Sequence, residues 1–330
     1  MNIGITYETR EDYSFSSTDL RYVDFRTAAG ITYIKKLLEQ HGHHVILIGS
    51  YKKLLEYLSK THCSELDIVF NASEGLKSRN REGWVPSLLE AYGIPYVGTD
   101  AYGLSLSLNK IHTKIICEHI GVKTPEFYEI NDEKDIETLQ TIVRFPCVLK
   151  PNCEGSSSGI LLIENQVDFC AKAQELLSTY NQTILCERYI DGRELTVSLI
   201  GNSSFLRCLG IVETVRNSGE KIGIYGIKEK FTDMCSKQIP VLSDDISAQL
   251  IESSKRIHQY LGCVDYSRAD FRLDSDGQIY FLELNPIPDL AMDSSYPMCC
   301  ELQGIPFGDV LEEIIQCAVN RYPQLTEEKK

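Results

Sequence analysis

Strand and helix patterns alternate through the first hundred residues, and this alternation constrains the fold of the chain more than any other feature. Apolar runs of strand length occur in NIGITY, VILIG, LDIVFNAS and IPYVG. Amphipathic helix patterns lie between them, at about residues 24–40, in YKKLLEYLSK and in VPSLLEAYG. Such alternation over short loops predicts an open parallel sheet. Ligands bind beyond the carboxyl ends of such strands, which here carry TYETRED, NASEG and VGTD.

The rest of the chain divides into two further blocks, of which the second is richer in strands. The first block has a helix pattern in SLNKIHTKIICEHIG and strand patterns in TPEFYEI, FPCVLK and TILCERYI. The second has strand patterns in ELTVSLIG and SFLRCLGIVET, a hairpin pattern around SDGQ, and the closing helix pattern FGDVLEEIIQCAVNRY. We therefore predict three units, which comprise residues 1–105, 106–190 and 191–330.

Composition restricts the classes of partner. At 330 residues, 43% hydrophobic and 24% charged, the chain is long enough for two or three domains with their own cores. The net charge of −14 argues against a nucleic-acid partner held by phosphate contacts. No apolar stretch approaches the roughly 20 residues that span a bilayer, and MNIGITYE lacks the pattern of a signal peptide. We expect a cytoplasmic protein that binds neither nucleic acid nor membrane.

The cysteines and histidines do not form a metal or disulfide pattern. The 12 cysteines contain no C-x-x-C pair and are spread along the chain, which is typical of buried thiols in a reducing compartment. His41, His43 and His44 stand between a helix pattern and the strand pattern VILIG. We interpret them as a polar turn in preference to a metal site.

A lysine and a flexible loop follow one of the predicted strands, in the sequence KPNCEGSSSGI that begins at Lys150. Backbone N–H groups of such a loop hold phosphate oxygens in many proteins, and a solvated turn is the alternative. The chain has no G-x-x-x-x-G-K-[ST] motif and no kinase H-R-D or D-F-G set. A P-loop protein and a protein kinase are therefore excluded.

The last predicted hairpin gathers the residues that carry chemistry. Arg268 and Asp270 lie on its first strand, and Glu283 and Asn285 lie on its second. A spacing of two residues places both members of each pair on the same face of the sheet. Oxygen ligands on rigid strands suit Mg²⁺, which keeps some waters and bridges phosphates. The alternative is a surface hairpin with alternating polar residues.

Several motifs, taken in order, resemble the ATP-grasp superfamily and within it the D-alanine–D-alanine ligase family. They cover most of the chain and comprise VFNASEG, GIPYVGTD, LSLNKIHTK, VLKPNCEGSSSG, ERYIDGRELTV and SRADFRLDSDGQIYFLELN. The resemblance implies an open α/β N-terminal domain followed by two α+β lobes of the ATP-grasp fold. In that fold the two lobes, here residues 106–190 and 191–330, clasp ATP between antiparallel sheets.

The resemblance also implies an ATP site. Lys110 and Lys150 match the lysines that reach the phosphates, and Ser156 and Ser157 match the glycine-rich loop that covers them. Glu187, Arg188 and Ile190 match the inter-lobe segment that meets the adenine. Glu194 matches the glutamate that binds the ribose, and Lys230 matches a lysine of a mobile loop.

The chemistry implied by the resemblance is amide formation through an acyl phosphate. Asp270, Glu283 and Asn285 match the metal ligands, which are expected to hold two Mg²⁺ ions, with Mn²⁺ as a substitute. Arg268 matches the arginine that stabilises the oxyanion, and Ser156 and Lys230 complete the catalytic set. The partners implied are a small-molecule carboxylate, an amine and, as in much of the family, a second copy of the chain.

Departures from the family pattern fall among the residues that bind the two amino-acid substrates, which we call the amino-acid side of the site. The family glutamate that binds the ammonium group of the first D-alanine has no clear counterpart, although Glu8, Asp12 or Asp24 could replace it. Ser73 and Glu74 stand where the family has a histidine, and Asp289 replaces a glycine of the family. We therefore assign Glu74, Asp289 and Ser294 to the substrates.

These departures favour a ligase that acts on an amino acid or natural-product substrate other than a pair of D-alanines. Authentic D-alanine–D-alanine ligase of peptidoglycan synthesis is the alternative. Two further alternatives are transfer of the acyl group to a carrier-protein thiol and a pseudo-ligase that binds nucleotide without turnover. The complete set Arg268, Asp270, Glu283 and Asn285 argues against the pseudo-ligase.

Overall fold

In the computed structural model, the first part of the chain forms a parallel sheet, as the alternating pattern predicts. The structure describes residues 1–9, 25–60, 65–76, 78–219, 223–224 and 235–326. The sheet has the order β2-β1-β3-β4, and all of its pairs are parallel. Its strands are β1 (Asn2–Tyr7), β2 (His44–Gly49), β3 (Ile68–Ala72) and β4 (Tyr96–Val97), and its helices are α1 (Ala28–Gln40), α2 (Tyr51–Lys60) and α3 (Trp84–Ala91).

The middle of the chain forms a four-stranded antiparallel sheet with the order β5-β8-β6-β7. Its strands are β5 (Phe127–Ile130), β6 (Cys147–Pro151), β7 (Leu161–Ile163) and β8 (Ile184–Arg188). The helices of this region are α4 (Ala101–Leu108), α5 (Lys110–His119), α6 (Glu133–Leu139) and α7 (Gln166–Tyr180). The predicted single helix in SLNKIHTKIICEHIG is wrong, because Asn109 adopts an extended conformation with ψ 96° and caps α5 by accepting from the His112 N–H at 3.0 Å.

The last third forms a five-stranded antiparallel sheet with the order β11-β10-β9-β12-β13. Its strands are β9 (Gly192–Ile200), β10 (Arg207–Arg216), β11 (Cys235–Gln238), β12 (Tyr266–Asp274) and β13 (Ile279–Asn285). Its helices are α8 (Asp244–Tyr260), α9 (Ser295–Gln303), α10 (Phe307–Val319) and α11 (Pro323–Thr326). The mixed architecture confirms the predicted fold class, whereas the domain boundaries at 105 and 190 stay a prediction.

A shared core joins the first and last parts of the chain. Side chains of the parallel sheet, such as Ile5 and Phe70, belong to one buried cluster with Tyr296 of α9 and Ile314 of α10. Burial of apolar surface at roughly 25 cal/mol per Å² makes such a cluster the main stabilising contribution. The C-terminal helices therefore fix the edge of the parallel sheet to the five-stranded sheet, and the site lies between them.

The remaining expectations concern the histidines, cysteines and membrane spans. His41 and His43 lie at the turn between α1 and β2 and pair with Asp309 and Glu312 of α10, at 3.0 and 2.6 Å. The 11 cysteines within the described ranges are all free thiols. Among the residues that the structure describes, no helix is long and apolar enough to cross a membrane.

Candidate active site

A cavity of about 570 Å³ lies between the three sheets and collects the predicted site residues. Side chains from all three parts of the chain line it, which matches the position expected for a ligand clasped between lobes. Lys230 lies outside the described residues. The other predicted residues all line the cavity: Glu74, Lys110, Lys150, Ser156, Ser157, Glu187, Arg188, Ile190, Glu194, Arg268, Asp270, Glu283, Asn285, Asp289 and Ser294.

The hairpin β12–β13 supplies the oxygen-rich face of this cavity. Its antiparallel register sets Arg268 opposite Asn285 and Asp270 opposite Glu283, as the two-residue spacing predicts. The hydroxyl of Thr196 on β9 donates to Asp270 Oδ1 at 2.7 Å. These contacts hold the Asp270 carboxylate at a fixed place on the sheet.

The donor set of the hairpin fits a magnesium ion. Within the described ranges, no group of three or more His, Cys, Asp or Glu residues could hold a metal by itself. Asp270 and Glu283 contribute two carboxylates, and Asn285 contributes an amide oxygen that also accepts from the Ile287 N–H at 3.0 Å. Such a set leaves coordination positions for water and phosphate oxygens, which Mg²⁺ prefers to a complete protein cage.

Arg268 is held as a cation beside the hairpin carboxylates. Its Nη2 donates to Asp270 Oδ2 at 2.8 Å. Burial opposes the charge, but the nearby carboxylates of Asp270, Glu283 and Asp289 raise the pKa of the guanidinium above its usual value. Its Nε is buried and has no hydrogen-bond partner in the described part of the chain. Arg268 is therefore charged and has a donor left for an oxygen in the cavity.

Two lysines converge on the buried carboxylate of Glu187. Lys150 Nζ lies 2.7 Å from Glu187 Oε1, and Lys114 Nζ lies 2.7 Å from Oε2. Burial alone would raise the pKa of Glu187, but the two ammonium groups offset this and lower it. Glu187 is thus a carboxylate that ties the phosphate-side lysine of β6 to α5. Lys114 was not predicted, although it stands in the quoted motif LSLNKIHTK.

The Gly/Ser loop is a defined turn over the cavity. Ser156, Ser157 and Gly159 have φ values of 45°, 64° and 72°, in the left-handed region. A Cβ on Gly159 would meet Pro151 Cδ at 2.8 Å, so this position requires glycine. Lys110, the first residue of α5, donates through Nζ to the Glu154 carbonyl. The loop and this lysine therefore act as one unit.

At the predicted ribose end of the cavity an arginine holds Glu194. Arg272 Nη2 donates to Glu194 Oε2 at 2.9 Å and to the Gly223 carbonyl at 2.7 Å. The Tyr189 hydroxyl donates to the same carbonyl at 3.2 Å. Arg272 was not predicted, because the sequence does not reveal which residue pairs with Glu194.

On the predicted amino-acid side, Arg26 links three segments of the chain. Its guanidinium lies 3.1 Å from Glu74 Oε1 and 3.1 Å from Asp289 Oδ1, and it donates to the Ile287 carbonyl at 2.7 Å. Glu74 is buried, whereas the side chain of Asp289 is 48% exposed. The predicted substrate residues Glu74 and Asp289 thus form a charged wall that Arg26, which was not predicted, holds together.

Glu8 was one of the candidates to bind the substrate ammonium group, but its side chain lies under the loop after β3 instead. It is buried, and its Oε2 accepts the backbone N–H of Glu74 at 3.0 Å and that of Gly75 at 3.4 Å. Burial raises the pKa of this carboxyl despite these hydrogen bonds. Glu8 shapes the loop after β3 and does not line the cavity. Asp12 and Asp24 lie outside the described residues.

The N-terminus of α9 and the edge strand β11 complete this side. Ser294 is the N-cap residue of α9, and its buried Oγ has no partner in the described ranges. Lys237 on β11 lines the cavity and donates through Nζ to the Asp293 carbonyl at 3.2 Å. Lys237 was not predicted, because neither its strand nor its long-range contact is visible in the local sequence.

Comparison with known proteins extends this description. A family model for the D-ala D-ala ligase C-terminus matches residues 116–316. The D-alanine–D-alanine ligase of Aquifex aeolicus is 30% identical over 282 residues, which cover 86% of this chain and 92% of the relative.

Solved structures have the same fold. The D-alanine–D-alanine ligase from Bacillus anthracis complexed with ATP matches with a TM-score of 0.76 at 20% identity and covers 99% of each chain. The VanG D-Ala:D-Ser ligase from Enterococcus faecalis matches with a TM-score of 0.75 at 20% identity, over 96% of this chain and 99% of that one.

The two antiparallel sheets, with the lysines, the Gly/Ser loop and the oxygen-rich hairpin that line the cavity, form the ATP-grasp fold of the solved neighbours. The family model and the sequence relatives make the chain an ATP-dependent, ADP-forming ligase. The sequence matches give the family, which is the one that the motifs resemble. The chain belongs to the D-alanine–D-alanine ligase family.

Proposed function

We propose that the protein joins two D-alanine molecules into D-alanyl-D-alanine with the conversion of ATP to ADP and phosphate. The observation that carries this proposal is the match over nearly the whole length to relatives named D-alanine–D-alanine ligase. These relatives favour the authentic ligase, which the sequence analysis gave as an alternative, over a ligase for another substrate. The departures from the family pattern at Glu74 and Asp289 are then compatible with the D-alanine reaction.

The first step is phosphoryl transfer to the donor carboxylate. A carboxylate oxygen attacks the γ-phosphorus, the bond to the β–γ bridging oxygen breaks, and ADP leaves. Lys110, Lys150 and the Gly/Ser loop hold the phosphates. Asp270, Glu283 and Asn285 would hold Mg²⁺, which neutralises phosphate charge when it is bound. In the first step the chain contributes mainly by positioning the reactants and by neutralising the charge of the phosphates.

The second step is attack of the acceptor amine on the acyl carbon. The tetrahedral oxyanion receives a hydrogen bond from Arg268, whose buried Nε has no other partner among the described residues. Collapse of this intermediate breaks the bond from the acyl carbon to the phosphate oxygen and releases phosphate. The predicted catalytic role of Ser156 belongs to the Gly/Ser loop, which would shield the acyl phosphate from water. The catalytic role of Lys230, which lies outside the described residues, stays a prediction.

We assign the acceptor carboxylate to the N-terminus of α9. The N–H groups at a helix N-terminus attract anions, and the Ser294 hydroxyl, which has no partner among the described residues, adds a donor there. Glu74 and Asp289 line the same cavity, where an ammonium group of a substrate fits. These assignments make both substrates zwitterionic amino acids.

The test is phosphate release with ATP and Mg²⁺ over a panel of D- and L-amino acids, alone and in pairs, with mass detection of products. D-Alanine alone is expected to give turnover and D-alanyl-D-alanine. If D-alanine is inert while another pair turns over, the proposed substrate is wrong and the product mass names the right one. Binding of ATP without turnover on any pair would favour a pseudo-ligase.

A second candidate is a ligase of this family with another acceptor. It is favoured by the partly exposed carboxylate of Asp289 and by Lys237, two charges that a methyl side chain does not require. An acceptor with a polar side chain, or a carrier-protein thiol, then replaces the second D-alanine. Addition of D-serine or of a phosphopantetheine thiol to the D-alanine assay distinguishes these acceptors by product mass.

The remaining properties follow from the same proposal. Two metal ions, with Mn²⁺ able to replace Mg²⁺, are expected from the family resemblance, and metal titration of the ATP complex counts them. A homodimer is proposed as well, which light scattering of the purified chain tests. A reducing cytoplasm suits the free cysteines and supplies the ATP.

A further inference from the structure

The two residues before the Gly/Ser loop, Cys153 and Glu154, form a stem that is held from two parts of the chain. Gln182, which follows α7, accepts from the Cys153 N–H at 2.8 Å and donates to Glu154 Oε1 at 2.7 Å. Lys110 of α5 donates through Nζ to the Glu154 carbonyl. A further contact comes from the first part of the chain, where Arg81 Nη1 donates to the Cys153 carbonyl at 2.6 Å. One side chain thus connects the segment after β3 to the loop over the cavity.

The local structure around Arg81 holds this arginine in a fixed position. Arg81 begins a 3₁₀ turn, Arg81–Gly83, and is buried. A Cβ on Gly83 would meet the Ala101 carbonyl of α4 at 2.9 Å, so the turn packs closely on that helix. A Cβ on Gly75 would meet the Arg81 carbonyl at 2.5 Å, so the loop after β3 closes against the same turn. The guanidinium therefore reaches the stem from a backbone that has little room to move.

Arg81 acts on the stem of the loop and not on the ligand directly. The next residue, Glu82, lines the cavity, whereas Arg81 does not. A hydrogen bond from a charged donor is stronger than one between neutral groups, so the contact fixes the stem carbonyl firmly. The loop needs such support, because Ser156 and Ser157 have φ values of 45° and 64°. Residues other than glycine keep this backbone conformation only where the surrounding structure holds them in it.

We infer that Arg81 is a positioning residue, which holds the Gly/Ser loop over the phosphates of ATP through the Cys153 carbonyl. The inference rests on the proposed function only in that the phosphates lie under this loop, and it holds for any pair of amino-acid substrates. Without the guanidinium, the Cys153 carbonyl loses its charged donor and the left-handed residues of the loop lose support. The contacts of the loop with the phosphates then weaken, and water reaches the acyl phosphate.

The first test compares nucleotides with and without the phosphates that the loop covers. Isothermal titration in the absence of amino acids gives the affinities for ATP with Mg²⁺ and for AMP, which has the adenine, the ribose and a single phosphate. Arg81→Met is expected to bind ATP about 10- to 100-fold more weakly than the wild type, the magnitude for one hydrogen bond to a charged group, and AMP with a change of less than about threefold. Arg81→Lys, which keeps a charged donor for the carbonyl, is expected to restore most of the ATP affinity.

The second test measures the phosphate released per dipeptide formed, with the amino acids that turn over. The wild type is expected to release about one phosphate per dipeptide and Arg81→Met at least about twofold more, because water hydrolyses an acyl phosphate that the loop no longer shields. The matched control is Arg79→Met, which removes an exposed arginine two residues away in the same loop. This variant is expected to behave like the wild type in both tests. If Arg81→Met does not fold, Arg81→Gln gives the same comparisons.

Three outcomes would overturn the inference. One is a ratio of ATP affinity to AMP affinity that is the same in Arg81→Met and in the wild type. Another is an equal loss of ATP affinity in Arg79→Met, which would assign the effect to the charge of the whole loop. The third is an unchanged ratio of phosphate to dipeptide in Arg81→Met. Failure of the proposed function is a different result, namely that D-alanine gives no dipeptide while Arg81→Met still loses affinity for ATP and not for AMP.

Discussion

Glu187 shows how a single buried carboxylate organises the phosphate side of the site. Its two oxygens meet Lys114, which is fully buried, and Lys150, which lines the cavity. Removal of charges from water costs several kcal/mol per ion, so such a cluster is stable only when every charge keeps its partners. Lys114 therefore stabilises the folded protein, whereas Lys150 also lines the cavity in which the ligand binds.

Lys114→Met is expected to destabilise the protein by about 3 kcal/mol, because Glu187 then keeps one cation in a buried environment. Urea unfolding followed by circular dichroism measures the change. Lys172→Met, which breaks an exposed and solvent-screened pair, is the control and is expected to leave stability nearly unchanged. Equal stability of the two variants would show that Lys150 alone neutralises Glu187.

Arg268→Ala is expected to reduce kcat by roughly 10²- to 10³-fold, as for the loss of one oxyanion donor, and to leave ATP binding nearly intact. Steady-state kinetics and titration with ATP measure the two quantities. Arg207→Ala is the control, since Arg207 belongs to a half-exposed pair with Glu313. An unchanged kcat in Arg268→Ala would remove this residue from the mechanism.

The residues that the sequence analysis predicted and those that it missed differ in one physical respect. Arg268, Asp270, Glu283 and Asn285 lie on one hairpin, where a spacing of two fixes their common face. Arg26 and the Ile287 carbonyl are 261 residues apart, and the contact of Lys237 with Asp293 spans 56 residues. Local periodicity contains no information on such pairs, because they depend on how the three sheets pack.

Among the helices and strands, the long periodic segments were predicted from the sequence, whereas some of the short ones were not. The helices α1 and α10 and the strands β12 and β13 have clear apolar periods and were predicted near their bounds. The strand β11 has four residues, and α6 has seven. Segments of this length contain too few apolar positions for a period to be visible. The division of the predicted helix at Asn109 has another cause, since the capping asparagine and the loop carbonyl of Glu154 fix Lys110 at the start of α5.

The contact between the α1–β2 turn and α10 contributes a pH-dependent stabilisation. The carbonyl of Leu37 and the carboxylate of Asp309 raise the pKa of His41, because both accept hydrogen bonds from the ring. The folded state therefore binds the proton more tightly than the unfolded state. This stabilisation is complete below the unfolded pKa of about 6.5 and disappears as the pH rises through the higher folded pKa.

His41→Gln is accordingly expected to lower the melting temperature more at about pH 5.5 than at about pH 8.5, with a difference that corresponds to less than about 1 kcal/mol because the pair is exposed. Differential scanning calorimetry at both pH values measures it. His44→Gln, which replaces an exposed histidine on β2, is the control. A larger effect of His41→Gln at the higher pH would contradict the assignment.

At the scale of the whole molecule, Asp265 joins the parallel sheet to the five-stranded sheet. Its side chain is fully buried and accepts from the Gly98 N–H at 2.8 Å, from Asn202 at 2.8 Å, and from Arg321 Nη2 at 2.7 Å. Arg321 also donates to the carbonyl of Tyr96, the first residue of β4, at 2.9 Å. The walls of the cavity come from both sheets, so this junction joins the two parts of the chain that form them.

Arg321→Met is expected to destabilise the protein by about 3 kcal/mol, because Asp265 then remains as a buried carboxylate with neutral donors alone. Urea unfolding measures the change, and Arg207→Met serves as the matched control. Arg207 pairs with Glu313 at 40% and 41% side-chain exposure, so its loss is expected to cost less than about 1 kcal/mol. Because Arg321 lies outside the cavity, the folded variant is expected to bind ATP like the wild type. Equal stability of the two variants would show that the shared apolar core alone holds the sheets together, whereas a loss of ATP affinity in folded Arg321→Met would show that the junction also sets the geometry of the site.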